Sequence, residues 1–176
     1  MTTHRRNYFI LVLLAVLFLV PGVSAYFFYK HPEWLVGIKT NKGVLLNPPF
    51  LLNDESVTAK WQLLFFCKKN CGGECRKQLE KLARIRLALG RHLYEVDTEL
   101  LLGLNAKNPS DDLLQTLREW DMRVVRLSAV HQEQMERLDD KLEIFIVNPD
   151  QYVVLAYKPS VKSSHIYHDL KQLLIR

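Results

Sequence analysis

Trp61–Gly90, WQLLFFCKKNCGGECRKQLEKLARIRLALG, decides the fold. The run Trp61–Phe66, apolar apart from Gln62, predicts a buried strand, because it is short and aromatic-rich. A polar loop with two glycines follows and carries all three cysteines of the chain, Cys67, Cys71 and Cys75, in a C-x3-C-x3-C spacing. Beyond it a basic helix runs to Gly90. Leu79, Leu82, Ile85 and Leu89 recur near the helical period and form its apolar stripe. Thiols at the mouth of a helix face unpaired backbone N–H groups, which favour the thiolate. Lys68, Lys69, Arg76 and Lys77 push in the same direction.

Working outward, the 176 residues less an apolar N-terminal segment leave room for one domain with one core. A net charge of +5, spread along the chain, gives no basic arm interleaved with aromatics, so nucleic acid is not an expected partner. Three cysteines cannot form a framework of structural disulfides. One pair with a spare thiol, or a metal site, fits the count.

Toward the N-terminus, Tyr8–Tyr29 is a run of 22 residues without charge, long enough to cross a hydrocarbon core of roughly 30 Å as a helix. Arg5 and Arg6 before it predict that residues 1–7 stay in the cytoplasm, which places the remainder outside the cell membrane, in a bacterial periplasm. A cleaved signal peptide is the competing reading, with Val23-Ser24-Ala25 as the cleavage site. The apolar run continues four residues past that site, which favours a retained anchor over 8–29. Residues 30–59 read as a linker with a short hairpin, or a strand leading into the domain, because turn signals at Asn41-Lys42-Gly43 and Asn47-Pro48-Pro49 bracket a brief apolar piece.

Toward the C-terminus the pattern alternates. A second strand is expected within His92–Leu104, a helix capped by Ser110, a strand over Met122–Leu127, and a helix over Ser128–Asp140. A hairpin follows, Leu142–Val147 with Tyr152–Tyr157, and then a helix over Ser160–Arg176. Strands alternating with helices imply crossovers and a largely parallel core, to which the hairpin adds an antiparallel edge. That order predicts an α/β, thioredoxin-like domain over 60–176, preceded by a single N-terminal transmembrane helix.

With these residues in place, the chain resembles the Sco/SenC group of thioredoxin-fold, membrane-anchored copper proteins that assist assembly of cytochrome c oxidase. Phe66, Cys71 and Cys75 align without gaps on the Phe and the two cysteines of that group's motif. The chain is similar also to small anchored proteins described as cytochrome-oxidase-associated, through NKGVLLNPP at Asn41–Pro49, Trp61, the C-x3-C pair and RIRLALG at Arg84–Gly90. The resemblance implies an inner-membrane protein with Cu(I) as its metal, Cys71 and Cys75 as ligands, and oxidase subunits as partners. The group's third ligand is a His just before the hairpin. The candidate here is His131, eleven residues before Leu142. Gly72 and Arg76 stand where the group has prolines, Cys67 stands where it has Gly, and Asp139-Asp140-Lys141 supplies no proline before the hairpin.

Three chemistries stay open for the pair. Cys71 and Cys75 can bind Cu(I), which prefers sulfur. They can act catalytically as a thiol:disulfide couple, Cys71 attacking and Cys75 resolving. They can form a structural disulfide in a protein that only docks. Cys67 is either a third sulfur ligand or a buried apolar residue at a strand end. His165 and His168 are read as surface residues.

Overall fold

In a computed structural model the chain is described over residues 2–31, 40–52, 59–139 and 141–175. It divides into two compact units, Met1–Thr40 and Asn41–Arg176. The first contains helix α1, Thr2–Lys30, which runs unbroken through Pro21. Within it Asn7–Lys30, 24 residues, is long and apolar enough to cross a membrane. At 1.5 Å per residue that stretch spans about 36 Å. Its side chains from Tyr8 onward are almost all exposed, as an anchor's are in the absence of lipid.

The second unit is built on a six-stranded sheet. Its strands are β1 (Val44–Leu51), β2 (Trp61–Cys67), β3 (Val96–Leu102), β4 (Met122–Arg126), β5 (Ile144–Val147) and β6 (Tyr152–Tyr157), in the order β1-β6-β5-β2-β3-β4. β2, β3 and β4 are parallel neighbours. β5 is antiparallel to β2, and β6 to β5. The helices are α2 (Gly73–Ala88), α3 (Asp111–Glu119), α4 (Ala129–Glu136) and α5 (Ser163–Leu174). This is the mixed α/β thioredoxin-like arrangement that the sequence predicts.

Strand alternation splits the core in two. Leu63, Phe65 and Cys67 face a cluster with Leu79, Leu82 and Ile85 of α2, Leu113 and Leu117 of α3, and Ile166 and Leu170 of α5. Leu64 and Phe66 face the other cluster, with Phe145, Val147, Val153 and Met135 of α4. Both faces are covered, which is why β2 reads as apolar without a break from Leu63 to Cys67. Each fully buried Leu or Ile in the α2 stripe contributes on the order of 1.5–3 kcal/mol. The stripe ends at Gly90, whose φ of +59° lets the chain turn out of the helix at little cost.

Several boundaries differ from expectation. The short hairpin or strand expected within 30–59 is, among the described residues, an edge strand. β1 pairs with β6, and its register shifts between Leu45 and Phe50, across Asn47-Pro48-Pro49. Prolines lack the N–H that a ladder needs, and an edge strand with a bulge tolerates them. Residues 32–39 and 53–58 of that linker lie outside the described residues. The second strand lies within His92–Leu104 as expected, and its start, which the sequence leaves open, is Val96, because Gly90–Glu95 forms a 3-10 turn that leaves Tyr94 exposed. α4 ends at Glu136, and the expected end of that helix, Asp140, is not described. α5 begins at Ser163, three residues later than expected.

Candidate thiol site

β2 and α2 position the cysteines. Cys67 is the last residue of β2 and pairs in register with Leu102 of β3. Cys75 lies in the first turn of α2, and Cys71 precedes the helix N-cap, Gly72. Cys71 and Cys75 form a disulfide with a Cα–Cα separation of 5.0 Å. Cys67 is the free cysteine and is buried. Cys75 is buried too, whereas Cys71 is half-buried. The three Sγ atoms all lie within 4.8 Å of one another. The C-x3-C-x3-C spacing is therefore one three-sulfur cluster, with the strand end supplying the third sulfur.

The loop's backbone is tied from the neighbouring loop. The Gly103 amide donates to the Cys67 carbonyl at 2.9 Å, and the Lys107 amide to the Lys69 carbonyl at 2.9 Å. A Cβ on Gly103 would stand 3.0 Å from the Lys68 carbonyl oxygen, so any larger residue there would press that backbone outward. Arg126 fixes that second loop. Its Nη1 donates to the carbonyls of Gly103, Leu104 and Ala106 at 3.0–3.1 Å, and its Nη2 donates to Asn108 Oδ1 at 2.6 Å.

A cavity of about 460 Å³ opens beside the cluster, lined by Cys67, Cys75, Lys68, Glu143, Gln78 and Pro159 among others. Burial pushes the Cys67 thiol up. The Lys69 backbone N–H works against that shift, and the charge of Glu143 adds to it. Burial likewise raises the Glu143 carboxyl, opposed by Lys68. Glu143 is held by its backbone, donating to the Tyr157 carbonyl at 3.1 Å and accepting from the Phe66 amide at 2.7 Å. Sequence reading missed Glu143. It stands immediately before β5, and nothing in its local pattern marks a lone acid at a strand start.

The basic residues expected to favour thiolates are partly engaged elsewhere. Arg76 pairs with Asp112 at 2.8 Å and Lys77 with Glu74 at 3.1 Å, at exposed positions where solvent screens their fields. His131 does not join the cluster. Among the described residues the group of candidate ligands is Cys67, Cys71 and Cys75. His131 lies in the first turns of α4, where its Nδ1 bonds the Ser128 hydroxyl at 2.7 Å. His168 meets Asp169 at 3.1 Å on α5 and is not in that sulfur group.

A family described as transmembrane-like, thioredoxin-like, C-terminal domain matches residues 61–175. No curated protein matches the sequence. Among solved structures, the apo Sco1 protein of Thermus thermophilus superposes with a TM-score of 0.52 at 19% identity, covering 77% of this chain and 98% of that one. The copper-bound ScoI of Arabidopsis thaliana gives 0.49 at 14% identity, covering 69% and 88%. The thioredoxin domain of a thiol-disulfide oxidoreductase from Bacteroides vulgatus gives 0.44 at 14% identity, covering 75% and 91%. At these identities the likeness is one of fold.

Proposed function

The chain belongs to the transmembrane-like, thioredoxin-like C-terminal domain family, and from that premise we propose that its cysteine loop is a reversible thiol site that holds Cu(I) when reduced and releases it when an external two-electron oxidant, such as a protein disulfide, closes Cys71 and Cys75. The observation that carries this reading is the convergence of three sulfurs within 4.8 Å. Cu(I) is soft and takes thiolate ligands, and the donor set here is all sulfur. A thiol must be reduced and deprotonated to bind metal, so the disulfide state excludes it. The copper is cargo in this reading, not a resident cofactor.

Residues 1–7 lie in the cytoplasm, 8–29 span a bacterial inner membrane, and the domain works in the periplasm beside a cytochrome c oxidase whose assembly it serves. The apolar span of α1 and the fold shared with Sco1 of Thermus thermophilus support that placement. Cys71 and Cys75 are the ligand pair, with Cys67 as the third sulfur. His131, whose Nδ1 bonds the Ser128 hydroxyl, becomes a ligand only if its ring moves to the sulfur group.

A second reading, a thiol:disulfide oxidoreductase, is favoured by one observation: the disulfide joins a half-buried Cys71 to a buried Cys75. That asymmetry suits an attacking and a resolving sulfur. A purely structural disulfide is the poorer account, because a bond between residues four apart closes too small a loop to restrict the unfolded chain much.

The test is Cu(I) competition against a chelator, anaerobically, on the full reduced chain in detergent. One tightly held copper per chain, lost in the Cys71→Ser/Cys75→Ser variant, is the expected result. Binding no tighter than that of the double variant overturns the copper reading and leaves the redox one.

A further inference from the structure

We propose that Cys67 is a working sulfur that exchanges with the Cys71–Cys75 disulfide, closing a buried Cys67–Cys75 bond and releasing Cys71 as a free thiol. The proposal rests on the reading of the cysteine loop as a redox-active pair, and it gives the third cysteine a role in that pair's chemistry.

Three observations select this step. First, the Cys67 Sγ lies within 4.8 Å of both sulfurs of the disulfide. That leaves at most about 1–2 Å to the roughly 3–3.5 Å at which atoms react. Second, Cys67 and Cys75 are both buried and both line the cavity beside the loop, so the new bond forms in space already shared by its two sulfurs. Third, Cys71 is the better leaving group. It sits just before the N-cap of the 16-residue helix α2, where unpaired amides stabilise a departing thiolate, and a lower leaving-group pKa speeds exchange.

The step balances within the chain. The Cys67 thiolate attacks Cys75 Sγ, the Cys67–Cys75 bond forms, the Cys71–Cys75 bond breaks, and its electron pair leaves on Cys71 Sγ. The proton lost from Cys67 is matched by one gained at Cys71. No outside oxidant or reductant takes part. The result is an oxidised protein whose disulfide is hidden and whose most accessible sulfur is a nucleophile. Such a thiol can attack a disulfide in a partner protein, so the class of substrate is a protein disulfide that is rearranged without net electron transfer.

The test uses the full chain in detergent, equilibrated in mixtures of reduced and oxidised glutathione, quenched with acid, alkylated and read by intact mass and peptide mapping. In Cys71→Ser the expected result is joint loss of both alkylation sites, a linked Cys67–Cys75 peptide pair, and a midpoint within about tenfold of that for the Cys71–Cys75 bond in Cys67→Ser. Two alkylatable thiols in Cys71→Ser, under conditions where Cys67→Ser is fully closed, overturn the relay and leave the redox pair standing. A Cys67→Ser protein that never closes its own bond overturns both. Oxidised wild type gives a readout free of any substitution. Its single alkylated cysteine should divide between Cys67 and Cys71, and label on Cys67 alone refutes the exchange.

Discussion

Asp169→Ala should detach the start of β1 and cost about 3–5 kcal/mol without disturbing the thiol loop. Asp169 is 2% exposed. Its carboxylate accepts from the Lys42 amide at 3.0 and 2.7 Å, from the Gly43 amide at 2.8 Å and from the Tyr157 hydroxyl at 2.9 Å. Burial, reinforced by this carboxylate, holds the Tyr157 hydroxyl protonated far above the usual tyrosine range. A buried donor left without its acceptor costs about 1–3 kcal/mol, and hydrogen bonds to a charged group are worth about 1.5–3 kcal/mol. Tyr157, 2% exposed, bears the full cost. The two amides sit in a more open turn and recover part of theirs from water. For a domain of this size, 3–5 kcal/mol lowers Tm by roughly 10 °C or more. Tyr157→Phe removes one bond and leaves the carboxylate its backbone donors, so it should cost only about 1 kcal/mol. Urea unfolding of the full chain in detergent, followed by tryptophan fluorescence, measures both. An Asp169→Ala loss under 1 kcal/mol, or equal losses in the two variants, would refute the account of this clasp. The disulfide midpoint should not move in either, since β1 pairs with β6 and the cysteine loop extends from β2.

Three further outcomes are expected. Gly103→Ala puts a methyl 3.0 Å from the Lys68 carbonyl and 3.5 Å from that of Cys67. It should cost about 1–3 kcal/mol and shift the glutathione midpoint of the cysteine pair, which thermal unfolding and thiol trapping would check. Arg126→Lys replaces a fork that reaches three carbonyls and Asn108 with a single ammonium, so amide exchange at Gly103 and Lys107 should accelerate several-fold as the loop loosens. In reduced, metal-free protein, alkylation of Cys67 should titrate above the ordinary thiol value of about 8.5, because burial first and Glu143 second disfavour its thiolate. Lys68 and Glu74 line the same cavity. Glu143→Gln removes the facing negative charge and should move the profile to lower pH, and an upward movement would contradict the assigned cause.

The core of the domain was legible where one physical signal dominated. Trp61–Phe66 is buried on both faces, so its apolar run marks a central strand directly. The spacing of Leu79, Leu82, Ile85 and Leu89 matches the face that α2 buries. Ser110 caps α3 as read, its hydroxyl accepting from the Leu113 amide at 3.4 Å. β1 was legible only as a short hairpin or strand, because Asn47-Pro48-Pro49 carries strong turn chemistry and only tertiary pairing with β6 makes it a bulge. Within the site, the short C-x3-C spacing let the loop before α2 bring Cys71 onto Cys75 in the helix's first turn. Cys67 joined them through the end of β2, a placement that neither burial propensity nor spacing decides. Glu143 reached the cavity through sheet order, since β5 lies beside β2. His131 fell short for the complementary reason. Its nearness was inferred from chain distance, while α4 packs against the opposite core cluster through Met135.

Copper-edge X-ray absorption on the full reduced chain, loaded with one Cu(I), tests the central claim most directly, because it reads the atoms bound to the metal. The account predicts a first shell of two or three sulfurs, unchanged by His131→Ala and lost in Cys71→Ser/Cys75→Ser. A shell dominated by nitrogen or oxygen, or one that survives loss of both cysteines, would contradict it.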